Sequence, residues 1–188
     1  MPWEALILDS FTDVNGTLLI NHTSELGGAW GSGSGSILSD KAAECEAVHS
    51  KEATSGDAYA QAVFSWIAAY GNGRLDIGWI SNVYWPDRLE IQPFDGNRVI
   101  LNDVVLTGVI PTNGALWRIE TVGSAVNAYK DGVLVGTGLK RAGGTKFQIA
   151  AFSYNQYKFF IDDYEAGEWV IPPPPSVYVD HLMLMELH

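Results

Sequence analysis

The stretch Leu116-Trp117-Arg118-Ile119-Glu120-Thr121, followed by Ala125-Val126-Asn127-Ala128-Tyr129-Lys130, Asp131-Gly132 and Val133-Leu134-Val135-Gly136-Thr137, decides the fold. Apolar Trp117 and Ile119 alternate with charged Arg118 and Glu120, the two-residue period of a strand with one buried and one wet face. Asp131-Gly132 readily takes positive φ at both residues, as a tight hairpin requires. Residues 125–130 and 133–137 are therefore the arms of a β-hairpin.

Working outward, the same punctuation recurs. Asn15-Gly16, Asn72-Gly73, Asp95-Gly96 and Asn113-Gly114 mark further tight turns. Leu89–Phe94 and Arg98–Leu101 flank Asp95-Gly96 as a second hairpin. Strands are also expected at Ala5–Leu8, Tyr59–Ala68, Leu75–Ser81, Val104–Leu106, Phe147–Phe152 and Tyr157–Asp162. Five alanines would allow a helix across Ala58–Tyr70, but Val63, Phe64, Trp66 and Ile67 favour a strand, and Gly71-Asn72-Gly73 follows. Trp30–Ser36 reads as a flexible Gly/Ser loop and Asp40–Cys45 as a short helix or turn. Many short strands with no long helix indicate an all-β sandwich or barrel. It occupies residues 1–170, and residues 171–188 form a proline spacer and apolar tail as a short C-terminal extension.

The 188 residues suffice for one core without staples. With 47% hydrophobic and 18% charged residues, disorder over most of the length is excluded. Eleven basic residues against 22 acidic ones give a net charge of −11, which disfavours nucleic acid and anionic membranes as partners. The lone Cys45 excludes an internal disulfide and reads as a buried, inert thiol. The N-terminus lacks the pattern of a secretory signal, so synthesis and assembly in a cytoplasm are expected.

One ordered series goes beyond generic β structure. It runs Asp9-Ser10-Phe11, Gly16-Thr17-Leu18, His22 and Gly28-Ala29-Trp30, then Trp117-Arg118-Ile119, Val126–Gly132 and Phe160–Gly167. The series resembles the concanavalin A-like lectin/glucanase superfamily, in particular laminin-G-like jelly-roll modules of bacterial and bacteriophage structural proteins. The resemblance spans about residues 5–170. It implies a two-sheet antiparallel jelly-roll sandwich with the first strand, near Asp9, beside the last, near Asp162, and Trp30, Trp66, Trp79 and Trp117 in or at the edge of the core.

Three chemistries are open to such a module. Glycan hydrolysis needs two carboxylates flanking the scissile bond. The glucanase pattern Glu-x-Asp-x-Glu is absent, and Glu44 with Glu46 or Asp162, Asp163, Glu165 and Glu168 are poor substitutes. No catalytic residue is assigned, and the protein is expected not to be an enzyme. Calcium, the one cofactor the resemblance leaves open, would be held by Asp9, Asp162 and Asp163; a salt bridge or turn cap explains these residues equally well. Glycan binding would use Tyr84, Trp85 and Asp87 in one aromatic loop and Tyr154, Asn155 and Tyr157 in another. Alternatively, Tyr84 and Trp85 cap the sandwich edge.

Beyond Pro172–Pro175 lies a tail carrying Val177, Val179, Leu182, Met183, Met185 and Leu187. Either it folds back on its own sandwich or it docks on another chain, and docking is favoured. The sequence thus points to a non-enzymatic bacteriophage virion protein, a capsid decoration or fibre component assembled in the host cytoplasm. Its partners would be other virion subunits or its own copies, with a cell-surface glycan as a further ligand. A free bacterial carbohydrate-binding lectin is the first alternative, and a glucanase-type glycoside hydrolase the second.

Overall fold

The computed structural model describes residues 3–54, 56–67, 73–80, 87–94, 96–141, 144–153 and 158–170. Fourteen strands form: β1 Trp3–Asp9, β2 Thr23–Ser24, β3 Gly28–Ile37, β4 Ala42–Glu52, β5 Ala58–Ile67, β6 Gly73–Ile80 and β7 Asp87–Gln92. They continue as β8 Arg98–Leu101, β9 Val104–Val105, β10 Ala115–Val122, β11 Ala125–Lys130, β12 Val133–Leu139, β13 Lys146–Ser153 and β14 Lys158–Trp169. Among the described residues there is no α-helix, only a single 3-10 turn at Leu19–Asn21. The architecture is the expected all-β antiparallel jelly roll.

Hydrogen bonding links the strands into one curled antiparallel sheet that folds over into two facing sheets. One runs β12-β11-β10-β5-β14 with β1 on the far side of β14, and the other runs β3-β4-β13-β6-β7-β8-β9. A short β14–β4 contact, Phe160↔Ala43 and Ile161↔Ala42, joins them. Alternation then does the packing. Ile77, Leu75, Leu89, Ile91, Phe147 and Ile149 of the second sheet share one core with Phe64, Trp117, Ile119, Val126, Phe159 and Ile161 of the first. Trp30, Trp79 and Trp117 are buried and Trp66 packs against the core, as expected. β1 pairs with β14 from Trp3↔Trp169 to Asp9↔Tyr164, which places the first strand beside the last. At the hairpin tip Asp131 and Gly132 take φ of 50° and 79°, as the Asp-Gly dipeptide predicts.

Two expectations are corrected. Trp30–Ser36 is not a loop but most of β3, and Asp40–Cys45 is not helical but leads into β4. Glycine explains the first. A Cβ on Gly33 would lie 2.1 Å from the Glu46 carbonyl oxygen, and one on Gly35 2.3 Å from Cys45 Cβ. Glycine therefore lets β3 close onto β4 through two bulges, between Trp30 and Ser32 and between Ser34 and Ser36. In β4, Ala43, Cys45, Ala47 and His49 turn inward while Glu44, Glu46 and Ser50 face solvent. The strand is thus set by burial of its small side chains, against the helical propensity of alanine.

Candidate functional site

Two strands carry the same local pattern: Arg74-Leu75-Asp76-Ile77 in β6 and Arg88-Leu89-Glu90-Ile91 in β7. Leu75, Ile77, Leu89 and Ile91 are wholly buried in the core. The intervening charges must then project from the opposite face. Register sets them against each other: Asp76 stands directly opposite Glu90, and Gly78 opposite Arg88. On the other flank β13 brings Ala150 beside Asp76 and Gln148 beside Gly78. Next to these, β4 sets Glu46 beside Ala150 and Val48 beside Gln148. The result is a five-strand polar floor with β8 closing the row through Arg98 opposite Gln92.

Much of this floor is internally bonded. Arg88 Nη2 lies 3.1 Å from Glu90 Oε2 and 3.0 Å from Asp103 Oδ1. Gln92 Nε2 donates to Glu90, Arg98 Nη2 donates to Gln92 at 2.9 Å, and Gln148 Nε2 donates to Glu46 at 3.2 Å. The Arg74 guanidinium stacks over the Phe152 ring at 4.7 Å.

Asp76 is the exception. It is fully buried, and Arg74 Nε sits 2.9 Å from its Oδ2. That N–H is not aimed at the oxygen, so both Asp76 oxygens lack a hydrogen bond from the protein. Gln148 Oε1, Arg74 Nε and Arg88 Nε are likewise buried and unbonded. Five of the eight such atoms among the described residues therefore belong to this one face. Native proteins rarely leave buried polar atoms unmatched except where a ligand, water or ion matches them. Burial pushes the Asp76 carboxyl up to about 7; Arg74 opposes the rise, Glu90 adds to it, and Arg88 and Glu46 act weakly in turn. Near neutrality the group can both donate and accept hydrogen bonds.

The residues expected from the sequence lie elsewhere. Asp87 is buried, and its Oδ1 accepts from Asn102 Nδ2 at 2.7 Å and from the Arg141 backbone at 3.0 Å. It ties two loops together. Tyr84, Trp85, Tyr154, Asn155 and Tyr157 lie outside the described residues, as do Val177, Val179, Leu182, Met183, Met185 and Leu187.

Asp9 and Asp162, two of the three carboxylates expected to hold calcium, do not fit that ion. Asp9 Oδ1 accepts from Phe11 N at 2.8 Å and faces His22 Nε2 at 2.8 Å, while Oδ2 accepts from Trp30 Nε1 at 2.7 Å. Lys41 Nζ pairs with Asp162 Oδ2, and the Asp163 amide binds Asp162 Oδ1. Donors and a cation thus already occupy the oxygens of Asp9 and Asp162 that a metal would need. No set of three or more His, Cys, Asp or Glu groups suited to a metal occurs among the described residues. Glu165, the other acidic candidate, accepts from Tyr59 Oη and Gln61 Nε2.

Solved structures share this arrangement of strands. The exoplasmic/lumenal domain of VIP36 in its Ca2+/Man2-bound form superposes with a TM-score of 0.60 at 9% identity, over 85% of this chain and 89% of that one. The carbohydrate recognition domain of Emp47p gives 0.59 at 13% identity over 87% and 98%, respectively. The β-glucanase of Bacillus licheniformis gives 0.56 at 13% identity over 87% and 97%. The fold is that of the concanavalin A-like lectins and glucanases. No protein-family model and no curated protein matches the sequence. The shared fold hosts both carbohydrate-recognition domains and glucanases, so the fold by itself assigns no activity.

Sequence reasoning missed the Asp76 face because its carboxylates come from different strands, 14 residues apart. The doubled Arg-Leu-acid-Ile pattern was the available signal.

Proposed function

We propose that the protein binds carbohydrate without cleaving it, on the polar face of β4, β13, β6, β7 and β8. The observation that carries this reading is the buried Asp76, ion-paired with Arg74 yet with no hydrogen bond to either oxygen, next to Gln148 Oε1 and two arginine N–H groups that also lack hydrogen bonds. Three unmatched acceptor atoms and two unmatched donors suit the paired hydroxyls of a sugar, each of which donates and accepts. The fold likeness to VIP36 and Emp47p supports the same class of ligand.

Cleavage is disfavoured by the strand itself. On β6 the same-face positions flanking Asp76 hold Arg74 and Gly78, so the run of alternating carboxylates that suits glucanase chemistry is missing. Glu90, the nearest carboxylate, is held by Arg88 and Gln92. A glycan array followed by reducing-end analysis of the bound sugars tests both halves. Retention of a glycan with no new reducing ends, lost in Asp76→Ala, is the expected result. Release of reducing ends that disappears in both Asp76→Asn and Glu90→Gln would establish a hydrolase instead.

The setting we propose is the surface of a virus particle, with residues 171–188 as the attachment or oligomerisation element. It rests on the sequence of that segment, a rigid proline spacer before a strongly apolar tail. Deleting residues 171–188 is expected to abolish self-association; an unchanged native mass would overturn this reading.

A further inference from the structure

We infer that the apolar tail, residues 177–187, docks on the outer edge of β12 in a neighbouring copy of the chain. The inference rests on the assembly reading above and names the surface that receives the tail.

β12 ends its sheet, and no described strand pairs with its outer side. Exposed strand edges are usually blunted by lysine, proline or another charge. Val133-Leu134-Val135-Gly136-Thr137-Gly138-Leu139 contains none of these. Its large side chains lie open to solvent, with Leu139 80%, Val133 65% and Leu134 53% exposed. Beside it runs the edge of the second sheet, where Val104 is 64% exposed. Between the two edges lies a cavity of about 340 Å³, walled by Leu101, Val104, Leu106 and Leu139 and rimmed by Lys140 and Arg141.

The tail has matching chemistry. Val177, Val179, Met183, Met185 and Leu187 alternate, and Asp180 and Glu186 are opposite in charge to Lys140 and Arg141, which already pair with Asp57 and Asp103. Its own edge is a poor target. Gly167 shares a row with Thr137, through Tyr59, Glu120 and Asn127. A strand added outside β12 would thus lie five spacings from β14, about 24 Å away. Residues 170–176 in a polyproline-like path span about 22 Å. They would have to turn sharply on leaving β14 and again on arrival, with no length to spare, and four consecutive prolines resist both bends. A neighbour's edge imposes neither turn.

Cysteine cross-linking of the full chain tests the arrangement. Cys45 is buried and its thiol is pushed up to about 12, so it stays silent. Chains carrying Leu139→Cys are mixed with chains carrying Val179→Cys and oxidised. A disulfide-linked dimer that forms on mixing, and not from either variant alone, is the expected result. Leu139→Lys is expected to lower the native mass without changing the unfolding temperature. A cross-link formed only within a chain bearing both cysteines would overturn the inference. So would an unchanged mass for Leu139→Lys where deletion of residues 171–188 dissociates the protein; the assembly reading would then survive with a different receiving surface. If the deletion leaves the mass unchanged, the assembly reading fails as well.

Discussion

Asp76 is the residue on which structure and function meet. Its carboxyl is held near 7 by burial, well above the usual carboxylate range, so the folded state binds its proton more tightly than the unfolded state does. The stabilisation is therefore fully present below about pH 4, the unfolded value, and is lost as pH rises through about 7. Asp76→Asn removes this dependence. At pH 8 the variant is expected to gain about 2 kcal/mol, or roughly 4–8 °C in unfolding temperature. At pH 4 it should differ little from the parent. Thermal unfolding at both pH values checks this, and equal shifts at the two would refute it. Asp87 behaves oppositely. Asp87→Ala leaves the Asn102 amide and the Arg141 backbone N–H without their acceptor, at a cost of about 2–3 kcal/mol. Denaturant titration should show that loss, while glycan retention on the array stays unchanged.

At the scale of elements, hairpins and alternation were legible and glycine-mediated closeness was not. Arg98–Leu101 and Ala125–Lys130 form with the bounds read from the Asp-Gly turns, because those turns leave the flanking residues few other partners. The Gly/Ser run of β3 carries no apolar period between Trp30 and Ile37, so nothing in its own residues announces a strand. Its order comes from β4, a contact of high sequence specificity only in space. Gly33→Ala probes that contact: at φ of 133° the new Cβ would strike the β4 backbone. A loss of about 2–4 kcal/mol is expected in chemical unfolding. A neutral result would mean that β3 does not lie on β4 as described. Part of the candidate site was hidden for a related reason. Asp76 and Glu90 each look like the wet face of an ordinary strand, and only the β6–β7 register makes them neighbours.

For the whole molecule, composition and turn spacing gave the sandwich, whereas the ligand face depended on which strands pair across the second sheet. The two sheets divide the labour. The first keeps its outer polar groups satisfied, with Glu165 held by Tyr59 and Gln61 and Glu120 by Arg118 and Tyr129. The second concentrates its unmatched groups around Asp76. The open edges beside Leu139 and Val104 add a third surface, the one we propose receives the tail of a neighbouring copy. Chemical-shift mapping of the isotopically labelled protein, titrated with the oligosaccharide retained best on the array, reads the central claim directly. Perturbations centred on Arg74–Gly78, Arg88–Gln92 and Gln148–Phe152 are the expected result. Perturbations confined to the first sheet, or a titration that leaves those three segments unmoved, would contradict it.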